Sequence, residues 1–479
     1  MANFLINSPS SEPVVGTNSN DLFVLQQIQG NTVFGLEGND TITAASVDGS
    51  AVLLNGGAGN DSFVLTGGAI FQGSVFAGSG NDLLTLGRDF GTSTIIRGGS
   101  GNDTLNIIEG ILDRTTVNAN DGSDIISARV GTGSTRSLIA GGNGRDTINL
   151  LFSGNADRFT VNGGAGHDSI VFSATRAGSL SSFFVAGGDG FDTIIFEAQA
   201  AANLTGSFDI NGDALNDLLQ FRGQVTTTQG SATIGGGAGA DTIQFSAGVS
   251  LNQGYINAGD GLDSVYISGA FNAGTLNGGD GADSITLGTY AASGSNGGII
   301  FGDAGADRIS LGIGTFAAAT GKAIISAAGG SRLGYASFDQ SNLAGFDHVS
   351  AGLTITTGSR NVDANVAANL FTITQDVVTA SVGANLAVAN FTTNTGGSVT
   401  WTASFDGTLT ARVAELDRIL ASGQSVAFSD GAGSRYLFVQ GGAAGSGTDG
   451  DLLVRVNSAD VLDVAGGTSI AVRTTRALF

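Results

Sequence analysis

The residues in this chain that could do chemistry are aspartates, and they return at a regular interval. Asp21, Asp40, Asp61, Asp82, Asp103, Asp124, Asp146, Asp168, Asp192, Asp217, Asp241, Asp263, Asp283 and Asp307 each end a glycine-rich stretch and open an apolar one, at spacings of 19 to 25 residues. Typical stretches are GGAGND (56–61), GGSGND (98–103), GGNGRD (141–146), GGAGHD (163–168), GGDGFD (187–192) and GGDGAD (278–283). Such turns expose main-chain carbonyls and admit positive φ. Stacked one above the next, they set the carboxylates in a file. Like charges ~5 Å apart repel by on the order of 3 kcal/mol per neighbour at an effective dielectric of about 20. A cation between adjacent loops reverses that sign. Ca²⁺ suits the position because it accepts roughly six to eight oxygens in flexible geometry, carbonyls included. The expected ligands are Asp40, Asp61, Asp82, Asp103, Asp124, Asp146, Asp168, Asp192, Asp241, Asp263, Asp283 and Asp307. Asp217 is left out because Leu215 replaces a glycine in NGDALND, and Asp21 because GTNSND has Ser19 there and no coil ahead of it.

The elements that must hold these loops follow from the apolar columns around them. Two residues after the aspartates come Phe23, Ile42, Phe63, Leu84, Leu105 and their counterparts through Ile309, all apolar. Four residues after come Leu25, Ala44, Leu65, Leu86, Ile107 and so on to Leu311, and seven residues before lies a third apolar column from Val14 to Ile300. Alternation of period two marks strands with one buried face. Two strands and two turns per repeat of about 22 residues make one coil of a right-handed parallel β-solenoid. Fourteen coils ~4.8 Å apart would form a rod roughly 65 Å long. The fold class expected is all-β: a solenoid over 16–349 after a short segment 1–15, then a smaller β-rich domain over 350–479. NLAGFD, ending at Asp347, is a candidate decayed fifteenth copy.

Past residue 350 the strings FTITQDVVTA, SVTWTASF, RYLFVQ and DLLVRV carry strand patterns. One amphipathic helix is expected at 408–422, with Leu409, Val413, Leu416 and Leu420 on one face and Gly423 as its stop. Asp449 and Asp451 suit a hairpin turn or, less readily, one more metal site.

Composition narrows the function classes. The formal charge is −22, and of 41 acids only Glu12, Glu37, Glu109, Glu197 and Glu415 are glutamates, an excess of aspartate that fits turns and oxygen ligands. Lys322 is the single lysine, and the arginines are scattered, which argues against nucleic acid. There is no cysteine, so disulfides and thiolate metal sites are excluded. No apolar run approaches the ~20 residues of a membrane-spanning helix. The first twenty residues lack the basic and apolar regions of a cleavable secretory signal.

The tandem turns resemble the repeat-in-toxin (RTX) family, whose nonapeptide is G-G-x-G-x-D-x-U-x with U a large apolar residue; the match spans 16–311. The resemblance implies Ca²⁺ held by the aspartate and turn carbonyls between successive coils of a β-roll. It also implies export by a type I system that reads an uncleaved C-terminal signal, hence a secreted protein at the extracellular cell surface. SRYLFVQGG and GTDGDLLVRVN look like C-terminal regions of such surface proteins. There is a departure: one motif appears per coil of about 22 residues, and the intervening TGGAIFQG, EAQAAANLTG and SGAFNAG lack it, so a single calcium file on one edge is expected.

No enzyme is expected. His167 occupies a variable slot in a repeat turn, and neither it nor His348 belongs to an H-E-x-x-H motif. Two other readings remain. One is a calcium-rigidified structural protein of an S-layer, sheath or surface fibril, assembling with other copies of itself. The other is a calcium-dependent adhesin or matrix protein whose C-terminal domain binds a cell-surface glycan, with Trp401 and Tyr436 as candidate contacts or as core strand residues.

Overall fold

The chain forms a parallel β-solenoid in a computed structural model. The structure describes residues 2–289 apart from short connecting segments (8–11, 27–29, 45–48, 68–69, 88–89, 91–92, 175–177, 206–207, 230–231, 247–249, 253 and 273), and from 299 onward 299–304, 307–311, 324–327, 332–335, 347–349, 354–356, 361–364, 371–374, 391–393, 399–401, 408–420, 425–429, 435–439, 452–456, 460–463 and 469–474. Gly423, Asp449, Asp451 and the loop leading into Asp347 lie outside the described residues. The chain divides into two units, Met1–Val249 and Ser250–Phe479.

In the first unit each repeat supplies one strand before its glycine turn and one after its aspartate. Leu53–Ala58, Ser74–Ser79 and Ile95–Ser100 lie side by side in parallel, with Leu54, Val75 and Ile96 in register. Ser62–Leu65, Leu83–Leu86 and Thr104–Gly110 do the same on the second sheet, aligning Phe63, Leu84 and Leu105. Residues one repeat apart therefore stack, and side chains two apart along a strand share a face. The three apolar columns are buried wherever their side chains are described, as their spacing requires; Val14, at the start of one column, is half-buried. No single coil could enclose these side chains, so burial is a property of the stack.

Phenylalanine fills the wider coils. Phe172, Phe196, Phe221 and Phe245 stack face to face along one column at ring separations of 4.4, 5.2 and 4.5 Å. Phe159, Phe183 and Phe208 form a second stack facing it. Offset and parallel rings at such spacings add to the stabilisation from burial.

The two main strands per coil are joined by further pairing in the connecting arcs. Gly49–Ser50 pairs with Ile70–Phe71, and Ser134–Thr135 with Ala156–Asp157. Thr193–Thr205 and Leu218–Gln229 run on through the arc and stay paired across two register shifts. In these paired segments the main-chain donors that face a neighbouring arc find carbonyls.

In the second unit Tyr255–Asp260 pairs with Thr275–Asp280 and Ser264–Asn272 with Ser284–Thr289 in the same parallel manner. Parallel pairing runs on through Ile324–Ala327, Asp347–Val349 and Asn361–Ala364 on one sheet and through Arg332–Tyr335, Thr354–Thr356 and Phe371–Thr374 on the other, past residue 350. Asp347 thus opens a strand paired on both sides. Antiparallel pairing begins with Ser469–Thr474 on Phe371–Thr374 and with the meander Ser425–Ser429, Arg435–Val439 and Leu452–Val456.

The one described helix is Leu409–Ile419, capped by Thr408, whose hydroxyl accepts from the Ala411 N–H at 3.2 Å. Its Val413 and Leu416, followed by Leu420, pack on Val426, Phe428, Tyr436 and Phe438, and Trp401 lies against the same cluster. Among the described residues no helix is long and apolar enough to cross a membrane.

Candidate functional site

The turn that carries each aspartate is built by glycine for two reasons. Gly57 and Gly59 hold φ of +111° and +131°, and a β-carbon on either would run into the carbonyl of Leu36 or Gly38 in the preceding coil. Non-glycine residues reach the same left-handed region at Leu36, Asn120, Asp213 and Leu215, where strain of about 1–2 kcal/mol each is the usual cost.

Past this turn the aspartate points inward. Asp40, Asp61, Asp82, Asp103, Asp124, Asp146, Asp168, Asp192, Asp241, Asp263, Asp283 and Asp307 are all buried, and so are Asp21 and Asp217. One carboxylate oxygen is committed to the fold. From Asp21 to Asp217, the N–H of each aspartate donates to Oδ1 of the aspartate one coil later, at 2.6 to 2.8 Å, ending on Asp241. In the second unit the Asp263 N–H donates to Asp283 and the Asp283 N–H to Asp307, at 3.0 and 3.1 Å. The turn leaves this N–H directed along the stack with no carbonyl opposite, and the side chain supplies the missing acceptor.

The other oxygen faces a different neighbour. Oδ2 of Asp40, Asp61, Asp82, Asp103, Asp124, Asp146, Asp168, Asp192, Asp217 and Asp283 is buried without a hydrogen-bond partner. In eight of these coils (those of Asp40, Asp61, Asp103, Asp146, Asp168, Asp192, Asp217 and Asp283) it lies beside the glycine five residues earlier, where a main-chain carbonyl of the next coil also converges; Ala77 and Ala119 stand at that position before Asp82 and Asp124. A β-carbon placed on Gly187 would be 2.6 Å from Asp192 Oδ2 and 2.6 Å from the Gly212 carbonyl oxygen; on Gly278 it would be 2.6 Å from Asp283 Oδ2 and 2.9 Å from the Gly302 oxygen. Two acceptors that share one small space, with no donor between them, are satisfied by a proton on the carboxylate or by a cation.

Protonation behaviour reports the same strain. Burial, first of all, pushes the carboxyls of Asp61, Asp103 and Asp146 up to about 7, those of Asp82, Asp168, Asp241 and Asp283 to about 6 and that of Asp217 to about 8; the N–H donated from the preceding coil offsets only part of this. Neighbouring carboxylates add to the rise at Asp61, Asp103, Asp146 and Asp217. Asp40, Asp124 and Asp192 move the same way.

Asp217, set aside on sequence for its Leu215, joins the file on the same terms: its Oδ1 accepts from Asp192 and its Oδ2 is orphaned beside Gly212. Leucine at a positive φ of 74° preserves the turn that glycine makes elsewhere. Asp21 differs. Its Oδ1 accepts from the Ala2 N–H, and its Oδ2 from both the N–H and hydroxyl of Thr17. Burial would raise this carboxyl, but those bonds outweigh it and hold it below the usual value.

A second ladder runs beside the first and was not foreseen. Where the residue before an aspartate carries a side-chain acceptor, it accepts from its counterpart one coil later: Asn39 N–H donates to Asn20 Oδ1, Asn60 to Asn39, Asn81 to Asn60, Asn102 to Asn81 and Ser123 to Asn102, at 2.8 to 2.9 Å. This ladder is exposed and runs opposite to the aspartate ladder. His167, read from sequence as filling a variable slot, belongs to it: its Nδ1 accepts from the Phe191 N–H at 2.8 Å, and the two rings stack at 4.9 Å. The recurrent Asn-Asp pair was the available signal.

The donor set suits a hard cation. The orphaned carboxylate oxygens and facing carbonyls are the oxygen ligands Ca²⁺ takes, one carboxylate per coil. Among the described residues no three Asp, Glu or His side chains converge, so any cage here draws on main-chain oxygens. No family model matches the chain, and no curated protein matches it either.

Proposed function

We propose that this protein is a secreted, calcium-binding structural protein of the cell surface whose coils are locked together by Ca²⁺ between the stacked loops. The observation that carries the reading is the repeated confrontation of a buried, orphaned Asp Oδ2 with a carbonyl of the next coil. The residues that would hold the ion are Asp40, Asp61, Asp82, Asp103, Asp124, Asp146, Asp168, Asp192, Asp217 and Asp283, with Asp241, Asp263 and Asp307 continuing the file. Bound there, the cation would supply electrostatic neutralisation. The chain's own part is to set each carboxylate through its Oδ1 bond and to keep water out of the space beside the glycine.

The resemblance of the loops to RTX repeats supports calcium and type I export, and the −22 charge supports a calcium-rich setting. Self-assembly into a lattice or fibril is part of the proposal. The adhesin alternative loses its two aromatic candidates, since Tyr436 is buried in the C-terminal core and Trp401 packs against it.

The test is a calcium titration of EDTA-stripped protein followed by far-UV circular dichroism and sedimentation velocity. Cooperative gain of β signal with multiple ions bound, followed by growth in size, is the expected result. Full β structure in EDTA that calcium leaves unchanged at neutral pH would overturn the calcium reading. Gain of structure with a lasting monomer would overturn assembly alone.

A further inference from the structure

A groove of about 1010 Å³ crosses several coils of the first unit, on the outer face of the sheet that precedes the glycine turns. Its floor is small because Ala140, Ala186 and the turn glycines line it. Asn118, Ala140, Asn162 and Ala186 follow one another in register on four successive coils. An amide therefore returns on every second coil, about 10 Å apart from the usual strand spacing. Phe184 stands at one side with 45% of its surface exposed, whereas Phe159, Phe172, Phe183, Phe196 and Phe208 of these coils are core. Asp121, Asp189 and Asp213 stand on the opposite side, and no lysine or arginine lines the groove.

We infer that this groove binds a neutral, extended, β-linked polysaccharide lying along the solenoid axis. Each part of the lining selects against other ligands. The backbone of this sheet is paired coil to coil, so a peptide finds no free edge to extend. Among the described residues Arg97, in register one coil before Asn118, is the one cation near this column, and it lies over the Phe76 ring. Against it stand Asp121, Asp189 and Asp213, so the lining stays net negative and repels uronate, sulfate and phosphate chains. Asp121 and Asp213 already accept from the Asn143 and Asn211 amides, which blunts their pull on a cationic polymer. What remains is a flat apolar ring beside planar amides and carboxylates. That is the chemistry that recognises a sugar, whose C–H face stacks on an aromatic and whose hydroxyls pair with planar side chains. In a β-1,4-linked chain the same ring edge returns every second sugar, which matches the alternation of Asn118 and Asn162.

The groove lies on the outside of the coils, so this site is independent of the calcium reading. The experiment is isothermal titration with cellohexaose in saturating calcium, with hexagalacturonate and hexalysine as charged probes. Phe184→Leu and Asn162→Ala are compared with the parent, and circular dichroism of each variant checks the fold. Phe184→Leu keeps an apolar side chain and removes only the ring face. Cellohexaose binding weakened at least tenfold by both substitutions, with neither charged probe binding through these residues, is the expected outcome. No binding of cellohexaose by the folded parent, binding indifferent to both substitutions, or tighter binding of a charged probe lost on Phe184→Leu would each overturn the inference.

Discussion

Asp192 Oδ2 and the carbonyl oxygen of Gly212, one coil apart, converge on the same space beside Gly187, each 2.6 Å from where a β-carbon would sit. The other oxygen of Asp192 accepts from the Asp168 N–H at 2.7 Å. The side chain therefore has two separable tasks. Asp192→Asn keeps the Oδ1 acceptor and turns a donor toward Gly212, so it satisfies both neighbours without a cation. We expect Asn to match or exceed the parent in calcium-free thermal stability while lowering the number of ions bound. Asp192→Ala removes the acceptor and strands the Asp168 N–H, at a cost of about 1–3 kcal/mol. Thermal melts of the two variants with and without calcium separate these effects; equal loss for Asn and Ala in EDTA would contradict the argument.

The raised carboxyls set the pH dependence of the calcium-free protein. Asp61, Asp103 and Asp146 stand at about 7 and Asp217 at about 8 in the fold, against an ordinary value of 3.8. Between these values the folded state holds more protons than the unfolded one, so stability falls as pH rises. Their contribution is complete below pH 3.8 and lost through pH 6 to 8. Urea midpoints in EDTA should be higher at pH 5 than at pH 8, and calcium should recover the difference at pH 8. A midpoint in EDTA that rises from pH 5 to 8 would contradict this.

The columns at Phe63, Leu84 and Leu105 were legible because a period of two with a fixed repeat admits one stacked geometry. The file of aspartates was legible for the same reason. What the repeat could not convey is direction. Whether an N–H points to the coil before or the coil after depends on φ and ψ within a six-residue turn, and Asn81 and Asp82, adjacent in sequence, point opposite ways. Leu215 shows a related limit: residue type alone does not tell what φ the neighbouring coils impose, and here they hold the leucine at the value glycine takes elsewhere. The paired arcs escaped notice because their sequences do not repeat and only their lengths agree.

The turn makes opposite predictions at two equivalent positions. Gly59→Ala forces a β-carbon into the Gly38 carbonyl at a φ of +131°, and should cost about 3 kcal/mol or more. Leu215→Gly relieves left-handed strain of about 1–2 kcal/mol and gives back part of it as unfolded-chain entropy. Because Leu215 is half exposed, little burial is lost. Chemical denaturation should show Gly59→Ala strongly destabilised and Leu215→Gly neutral or slightly stabilised. A destabilised Leu215→Gly would mean that the leucine side chain, rather than the turn, is what the position needs.

The two ladders should differ in the same measurement. Asn60 Oδ1 accepts from the exposed Asn81 N–H, and Asp61 Oδ1 from the buried Asp40 N–H. With Asn60→Ala the released N–H turns to water, so the loss should stay near the usual net value of about 1 kcal/mol or less. With Asp61→Ala the Asp40 N–H is left in a dry interior, where an unmet donor costs about 1–3 kcal/mol. Hydrogen exchange reads this residue by residue. Asn60→Ala should speed exchange at Asn81 alone, because the coil above remains held by its strands. Asp61→Ala should speed exchange at Asp40 and in the strands on both sides, since the defect lies between two coils that bury each other's core. If both substitutions loosened only the one amide they uncover, the inner file would be no more than turn chemistry, and its claim to a structural cation would weaken with it.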